Sequence, residues 1–416
     1  MQQPRVDTVR LVWAVLVLAA GAGMAFGADP WSQFRGPNGQ GTSDEKGIPL
    51  QWTDADWAWK TALPGGGHSS PVVWGDRIFI TSADEQAATR ILLCLRLSDG
   101  SILWKREFAS KACHLNSLSS YAVTTPPVDE SRVYFSWGTP EEYVIVALDH
   151  DGKEVWRRDL GPFVSQHGHG PSPMVFNDMV IVPNDQDATS FVIALDSGTG
   201  KTRWQLDRKS DRAAYSTPCV FRPASGPPQI ILTSSAHGVT GVDPTTGRVI
   251  WEKSDAFPQR VVSSPVAAGG VIMGTCGTGG SGKHLIAIRP PDRPDGQPGI
   301  AWTLTKNAPY VPTPVVLGDL VFGWTEGGVA TCLRLASGEE VWRERVGGNY
   351  YASPVVVGGR LYNVSVKGEV VVLAAGEKYE LLARNTLGEK TQATPAVAGG
   401  RMIFRTWSNV MALGGK

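Results

Sequence analysis

The chain has few cysteines and no adjacent pair of them: five, at Cys94, Cys113, Cys219, Cys276 and Cys332. An odd number without regular spacing gives no disulfide framework. Charge of one sign is lacking too. The 39 Lys and Arg balance the 39 Asp and Glu, no basic block stands out, and nucleic acid finds no electrostatic footprint. The apolar run from Leu11 to Ala22 is too short to span a bilayer comfortably. It follows Arg5 and Arg10 and precedes the small-residue segment Ala25-Phe26-Gly27, which reads as a cleavable export signal over residues 1–27. A periplasmic or extracellular protein without a transmembrane domain after cleavage is therefore expected. No Cys lies near the cleavage region to carry a lipid.

What the chain has in abundance is turns. It holds 48 Gly and 29 Pro, and eight Ser/Thr-Pro dipeptides recur at Pro71, Pro126, Pro173, Pro218, Pro265, Pro314, Pro354 and Pro395. Spacings of about 40–55 residues signal a repeat architecture. Each proline opens a short apolar run, a two-residue turn and a second apolar run, as in Pro354-Val355-Val356-Val357, Gly358-Gly359, Arg360-Leu361-Tyr362. Gly, Asn or Asp in the turn slot, flanked by β-branched and aromatic residues, is a hairpin signature.

A second pair of strands follows in each unit. Ala194-Leu195-Asp196-Ser197-Gly198-Thr199-Gly200-Lys201-Thr202-Arg203-Trp204 is a clear copy, with Gly200 four residues before Trp204. Four-stranded sheets of this kind cannot bury both faces alone and must stack radially as blades. The fold expected is all-β: an eight-bladed β-propeller of antiparallel four-stranded blades over residues 52–416. Trp59, Trp104, Trp156, Trp204, Trp251, Trp302 and Trp342 are expected to dock between blades as apolar plugs. The final unit stops one strand short, and Trp57-Ala58-Trp59-Lys60-Thr61-Ala62 resembles the missing strand. Pairing the two would complete the eighth blade and remove a sheet edge. Two copies are degraded: an insertion, 289–298, precedes Trp302, and Tyr379-Glu380-Leu381-Leu382 stands where the seventh unit would carry its Trp. The polar, Gly-rich lead-in, 28–51, reads as an extended segment packed along the outside.

The motif Ala194-x-Asp196-x-x-Thr199-Gly200-Lys201-x-x-Trp204 resembles the Trp-docking repeat of pyrroloquinoline-quinone-type β-propellers. That superfamily includes quinoprotein dehydrogenases and the non-catalytic scaffold of the outer-membrane β-barrel assembly machinery. The lead-in, with Trp31 and Phe34-Arg35-Gly36-Pro37-Asn38, is similar to exported propellers of planctomycete-type bacteria. The resemblance implies either a binding or assembly scaffold or, as the alternative, a quinone- or metal-dependent oxidoreductase. The dehydrogenases carry an adjacent Cys-Cys pair and long insertions, which this chain lacks. The reading taken is a non-catalytic, monomeric scaffold with no cofactor, and with pyrroloquinoline quinone or a divalent metal as the alternative.

In a propeller, loops converge on the central channel. The segments before each Ser/Thr-Pro are therefore the candidate ligand-binding positions: His68, Tyr121, His167, His169, Arg212, Tyr215, Arg260, Tyr310, Tyr351 and Gln392. His114, Asn116 and Asp185 are added because they flank the densest cluster, Gln166-His167-Gly168-His169-Gly170. Aromatics and cations in this arrangement suit a protein or peptide partner, or a small ligand, at the channel mouth. A His-x-His pair in extended backbone would put both rings on one side, where a carboxylate could complete a metal site.

Overall fold

The computed structural model describes residues 30–293 and 296–415, so the expected export signal lies outside the described residues. Eight sheets are arranged as blades, six of them formed wholly by consecutive strands in antiparallel order, while the last two each take in a strand from the N-terminal part of the chain. Blade 3 is representative, with strands Met174–Phe176, Met179–Asn184, Ser190–Asp196 and Thr202–Arg208. The inner hairpin turn carries Asn177 at φ 53°, in the left-handed region that Asn tolerates. Blade 2 departs from the pattern. Its sheet has three strands, Arg132–Gly138, Tyr143–Asp149 and Glu154–Asp159, plus an isolated bridge from Val128 to Val133. Consecutive Pro126 and Pro127 supply no N–H groups for a longer inner ladder.

The ends close the ring. Trp57–Ala62 pairs antiparallel with Asn409–Gly414 as the outer strand of blade 8, beside Arg401–Arg405 and Ala396–Ala398. Apolar clusters lie between blades rather than within them. One joins Val72, Phe79 and Cys94 of blade 1 to Val133, Phe135 and Val146 of blade 2.

The Trp repeat explains the Gly four residues before it. Each indole N–H reaches a backbone carbonyl of the next blade: Trp59 to Leu97, Trp104 to His150, Trp156 to Ser197, Trp204 to Pro244, Trp302 to Leu335 and Trp342 to Gly376. The ring face lies on that blade's turn glycine. A Cβ on Gly200 would stand 2.7 Å from Trp156, and one on Gly247 2.5 Å from Trp204, both at positive φ. Trp251 differs, donating instead to Gln229 of its own blade, where the following blade carries the insertion. Opposite the Trp stands a small residue, as in Cys94↔Trp104, Ala194↔Trp204 and Cys332↔Trp342. Blade 7 has no Trp in this slot, with Val372 opposite Ala383. Tyr379 packs edge-on against Trp342, with ring centroids 5.5 Å apart.

The lead-in corrects the expectation of an outside path. Residues 31–41 lie across the inner edges of the blades, where the first strands expose unpaired backbone groups. The Trp31 carbonyl accepts from Val73 N–H, and the Ser32 carbonyl from Val128 N–H. Asn38 both donates to the Val220 carbonyl and accepts from the Val220 N–H. Gln40 donates to Ala267. Arg35 is fully buried and donates to the Pro314 and Pro354 carbonyls. Thr42–Ser43 then pairs parallel with Val356 and Val357 of blade 7. Six blades are thus bridged by one short segment, which closes the channel from that side. Open backbone groups at the inner edge need partners, and the lead-in supplies them. Its last part runs on along blades 7 and 8, where Glu45 accepts from Gly400 N–H and the Leu50 carbonyl accepts from Asn385.

Candidate functional site

The eight residues before the prolines form a ring around the channel. The backbone N–H of one donates to the hydroxyl of the next. Seven of the eight steps are made: Ser70 donates to Thr125, Thr125 to Ser172, Thr217 to Ser264, Ser264 to Thr313, Thr313 to Ser353, Ser353 to Thr394, and Thr394 back to Ser70, with the ring open between Ser172 and Thr217. The following proline has no N–H, so the preceding hydroxyl is the acceptor that ties blade to blade. This is why Ser or Thr recurs at that position.

Above the ring opens a cavity of about 790 Å³, floored by Phe34 of the lead-in and walled by loops of every blade. Of the candidate residues, His68, Asn116, His167, His169, Arg212, Tyr215, Arg260, Tyr310, Tyr351 and Gln392 line it. Three do not. The Asp185 carboxylate is buried in an ion pair with Arg208 at 2.6 Å, away from the mouth. The Tyr121 hydroxyl is engaged by the backbone of Cys113, and Arg90 sits 3.8 Å over its ring. His114 does not line the cavity, although it lies near enough to act on the His167 charge, and Asn116 meets the His167 ring at 3.3 Å.

The histidines diverge instead of converging. Gly168, at φ 90°, breaks the extended run between His167 and His169. His169 is buried between Tyr143 and Phe163, with ring centroids 4.5 and 4.7 Å away, and presents only an edge to the cavity. Burial pushes its pKa down to about 3, and the Arg90 charge adds to that, so the ring is neutral. His68, packed on Trp407, is also pushed down to about 3, first by burial and then by Arg405 and Lys390. His167 is lowered by burial and by Arg260, whose Nη1 donates to its Nε2 at 2.5 Å. Burial also raises the Tyr215, Tyr310 and Tyr351 hydroxyls, which are neutral donors.

Two charged residues were invisible to the repeat. Lys283 and Glu326 lie in loops between the second and third strands of blades 5 and 6, and pair at 2.6 Å in the cavity wall. Neither precedes a proline, and no periodicity marks them. The other Glu326 oxygen accepts from the Tyr310 and Val311 N–H groups, so the one carboxylate lining the cavity is fully engaged. Among the described residues no group of three or more His, Cys, Asp or Glu is gathered for a metal ion. The five cysteines are free thiols, four of them buried.

The profile of the family described as outer membrane protein assembly factor BamB matches residues 88–344 and 327–413. The assembly factor BamB of Yersinia pestis is 22% identical over 277 residues, which cover 62% of this chain and 66%, just under two thirds, of that relative. The crystal structure of BamB from Moraxella catarrhalis superposes with a TM-score of 0.63 at 16% identity, over 85% of this chain and 98% of that one. A quinohemoprotein alcohol dehydrogenase from Pseudomonas putida gives 0.64 at 14% identity, over 93% of this chain and 81% of that one. At these identities the structural likeness establishes the fold.

Proposed function

Because this chain belongs to the family of the outer membrane protein assembly factor BamB, we propose that it is an exported, non-catalytic scaffold that holds protein segments at the channel mouth during assembly at a membrane. The observation that carries this reading is the cavity of about 790 Å³, open on the loop face and closed below by Phe34 and the lead-in. Its volume lies in the range of ligand sites, and its wall mixes tyrosines, apolar side chains and a few polar groups. The wall is built on a rigid frame, since the Ser/Thr ring locks the loops' roots. A chain of near-zero formal charge would then use local rather than global electrostatics to choose its partner.

The oxidoreductase alternative draws on the shared fold of the quinohemoprotein alcohol dehydrogenase. The donor set argues against a divalent metal: a hard cation needs several oxygen ligands, and Glu326, already held by Lys283 and two backbone N–H groups, is the only carboxylate in the cavity wall among the described residues. The two readings separate on protein purified from its native host, by absorbance, elemental analysis and mass spectrometry. The scaffold reading expects no stoichiometric chromophore or metal and a co-purifying polypeptide. A stoichiometric quinone overturns it.

A further inference from the structure

The cavity is a socket whose wall carries two arginines without an ion-pair partner. Of its three cations, Lys283 pairs with Glu326, while Arg212 and Arg260 donate to neutral side chains and make no ion pair. Arg260 donates from Nη1 to His167 and from Nη2 to Gln166 at 3.2 Å, and its Nε is buried without a protein partner. Arg212 reaches the Gln259 amide oxygen at 3.5 Å. The nearby acid, Asp187, is engaged by the Gln166 and Ala213 N–H groups, at 3.0 and 2.7 Å. His167 accepts from Arg260 and is therefore neutral, so it orients the guanidinium without adding charge. A cation in a cavity wall with no ion-pair partner attracts an anion, and a guanidinium fork matches a carboxylate.

The shape decides how that carboxylate arrives. Phe34 floors the cavity, and the lead-in seals the channel beneath it by bonding to the inner edges of six blades. A polypeptide cannot thread through a blind socket and enters most simply by an end. An N-terminal ammonium would meet Arg212 and Arg260; a C-terminal carboxylate would pair with them. Resting on the scaffold reading above, we infer that the mouth recognises the C-terminal carboxylate of a partner chain, with Arg260 as its principal anchor, Arg212 as its second, and Tyr215, Tyr310 and Val262 around the last side chain.

The test uses the exported chain and a pool of N-terminally fluorescein-labelled pentapeptides of random sequence, followed by fluorescence anisotropy. One pool carries free C-termini and the other C-terminal amides; benzoate is the small-acid competitor. The free-acid pool is expected to bind, and amidation to weaken it about tenfold or more, the loss of one charge-assisted pair. Arg260→Gln and Arg212→Gln are each expected to weaken the free-acid pool far more than the amide pool, so that the preference for a free C-terminus shrinks or is lost. Benzoate should compete only at far higher concentration than the peptides. Equal binding of both pools overturns carboxylate recognition but leaves a peptide-binding scaffold standing. Saturable benzoate binding with no peptide binding overturns the polypeptide end and assigns the socket to small acids. Binding of neither pool and no benzoate overturns the inference, whereas the scaffold reading itself falls on the native-host purification.

Discussion

Two neutral histidines at the cavity, His169 buried and His68 half-buried, make acid pH the simplest perturbation of this fold. An imidazole titrates near 6.5 when unfolded, while burial holds His68 and His169 down to about 3. A depressed folded-state pKa gives stability that is complete above 6.5 and is lost as pH falls from 6.5 towards 3, because the unfolded chain takes up the proton first. At pH 5 the unfolded ring is almost wholly protonated and the folded ring is not, which costs about 2 kcal/mol per histidine relative to pH 7. His169→Phe keeps an aromatic ring between Tyr143 and Phe163 and removes the titration, and since the His169 Nε2 has no protein partner, no hydrogen bond is lost there. Urea unfolding at pH 7 and pH 5 should show wild type losing about 2 kcal/mol more than His169→Phe between the two conditions. An equal loss in both proteins would refute the burial argument and place the His169 ring in contact with water.

Other outcomes follow from the same packing. Trp204→Ala removes a buried ring and its bond to Pro244 and should cost about 3–5 kcal/mol by urea unfolding; under about 1 kcal/mol would contradict interblade docking. Gly200→Ala puts a Cβ 2.7 Å from Trp156 at φ 69° and should cost about 1–3 kcal/mol in the same assay. Deleting residues 52–64 exposes the edge of Asn409–Gly414 and should leave the chain aggregated on size exclusion; a monomer with unchanged melting temperature would refute ring closure by that strand. Trp31→Ala removes a fully buried ring from the channel plug and should cost about 3–5 kcal/mol, read by the melting temperature; an unchanged value would put the lead-in outside the channel.

The blades were legible because each level of the repeat agreed with the next. Ser/Thr-Pro opened the inner strand, Asn177 and the glycine pairs set the turns, and Gly200 four residues before Trp204 encoded a docking contact. The lead-in was not legible. Gly-rich, polar segments such as Phe34-Arg35-Gly36-Pro37-Asn38 read as solvent-facing, yet their polar groups serve the open carbonyls and N–H groups of the inner strands. No side-chain pattern reports an unpaired backbone edge. The mouth was legible in the residues that precede the prolines, such as Arg260 and Tyr310, because the repeat fixes where those loops point. It was illegible in Lys283 and Glu326, which lie off the repeat, and in Asp185, whose partner Arg208 is a strand residue on the far side of its hairpin. Spacing also placed the rings of His167 and His169 together, and one positive-φ glycine between them turned them apart.

The most direct test of a binding mouth is site-specific photo-crosslinking in the native host, with the photoreactive residue placed at Tyr351 in the cavity wall or at the exposed Ile300 on an outer strand. Adducts are resolved by mass and sequenced. Crosslinking from position 351 to a discrete exported polypeptide, with none from position 300, is the expected result. The same polypeptide captured only from position 300, with position 351 silent, would contradict a role for the mouth.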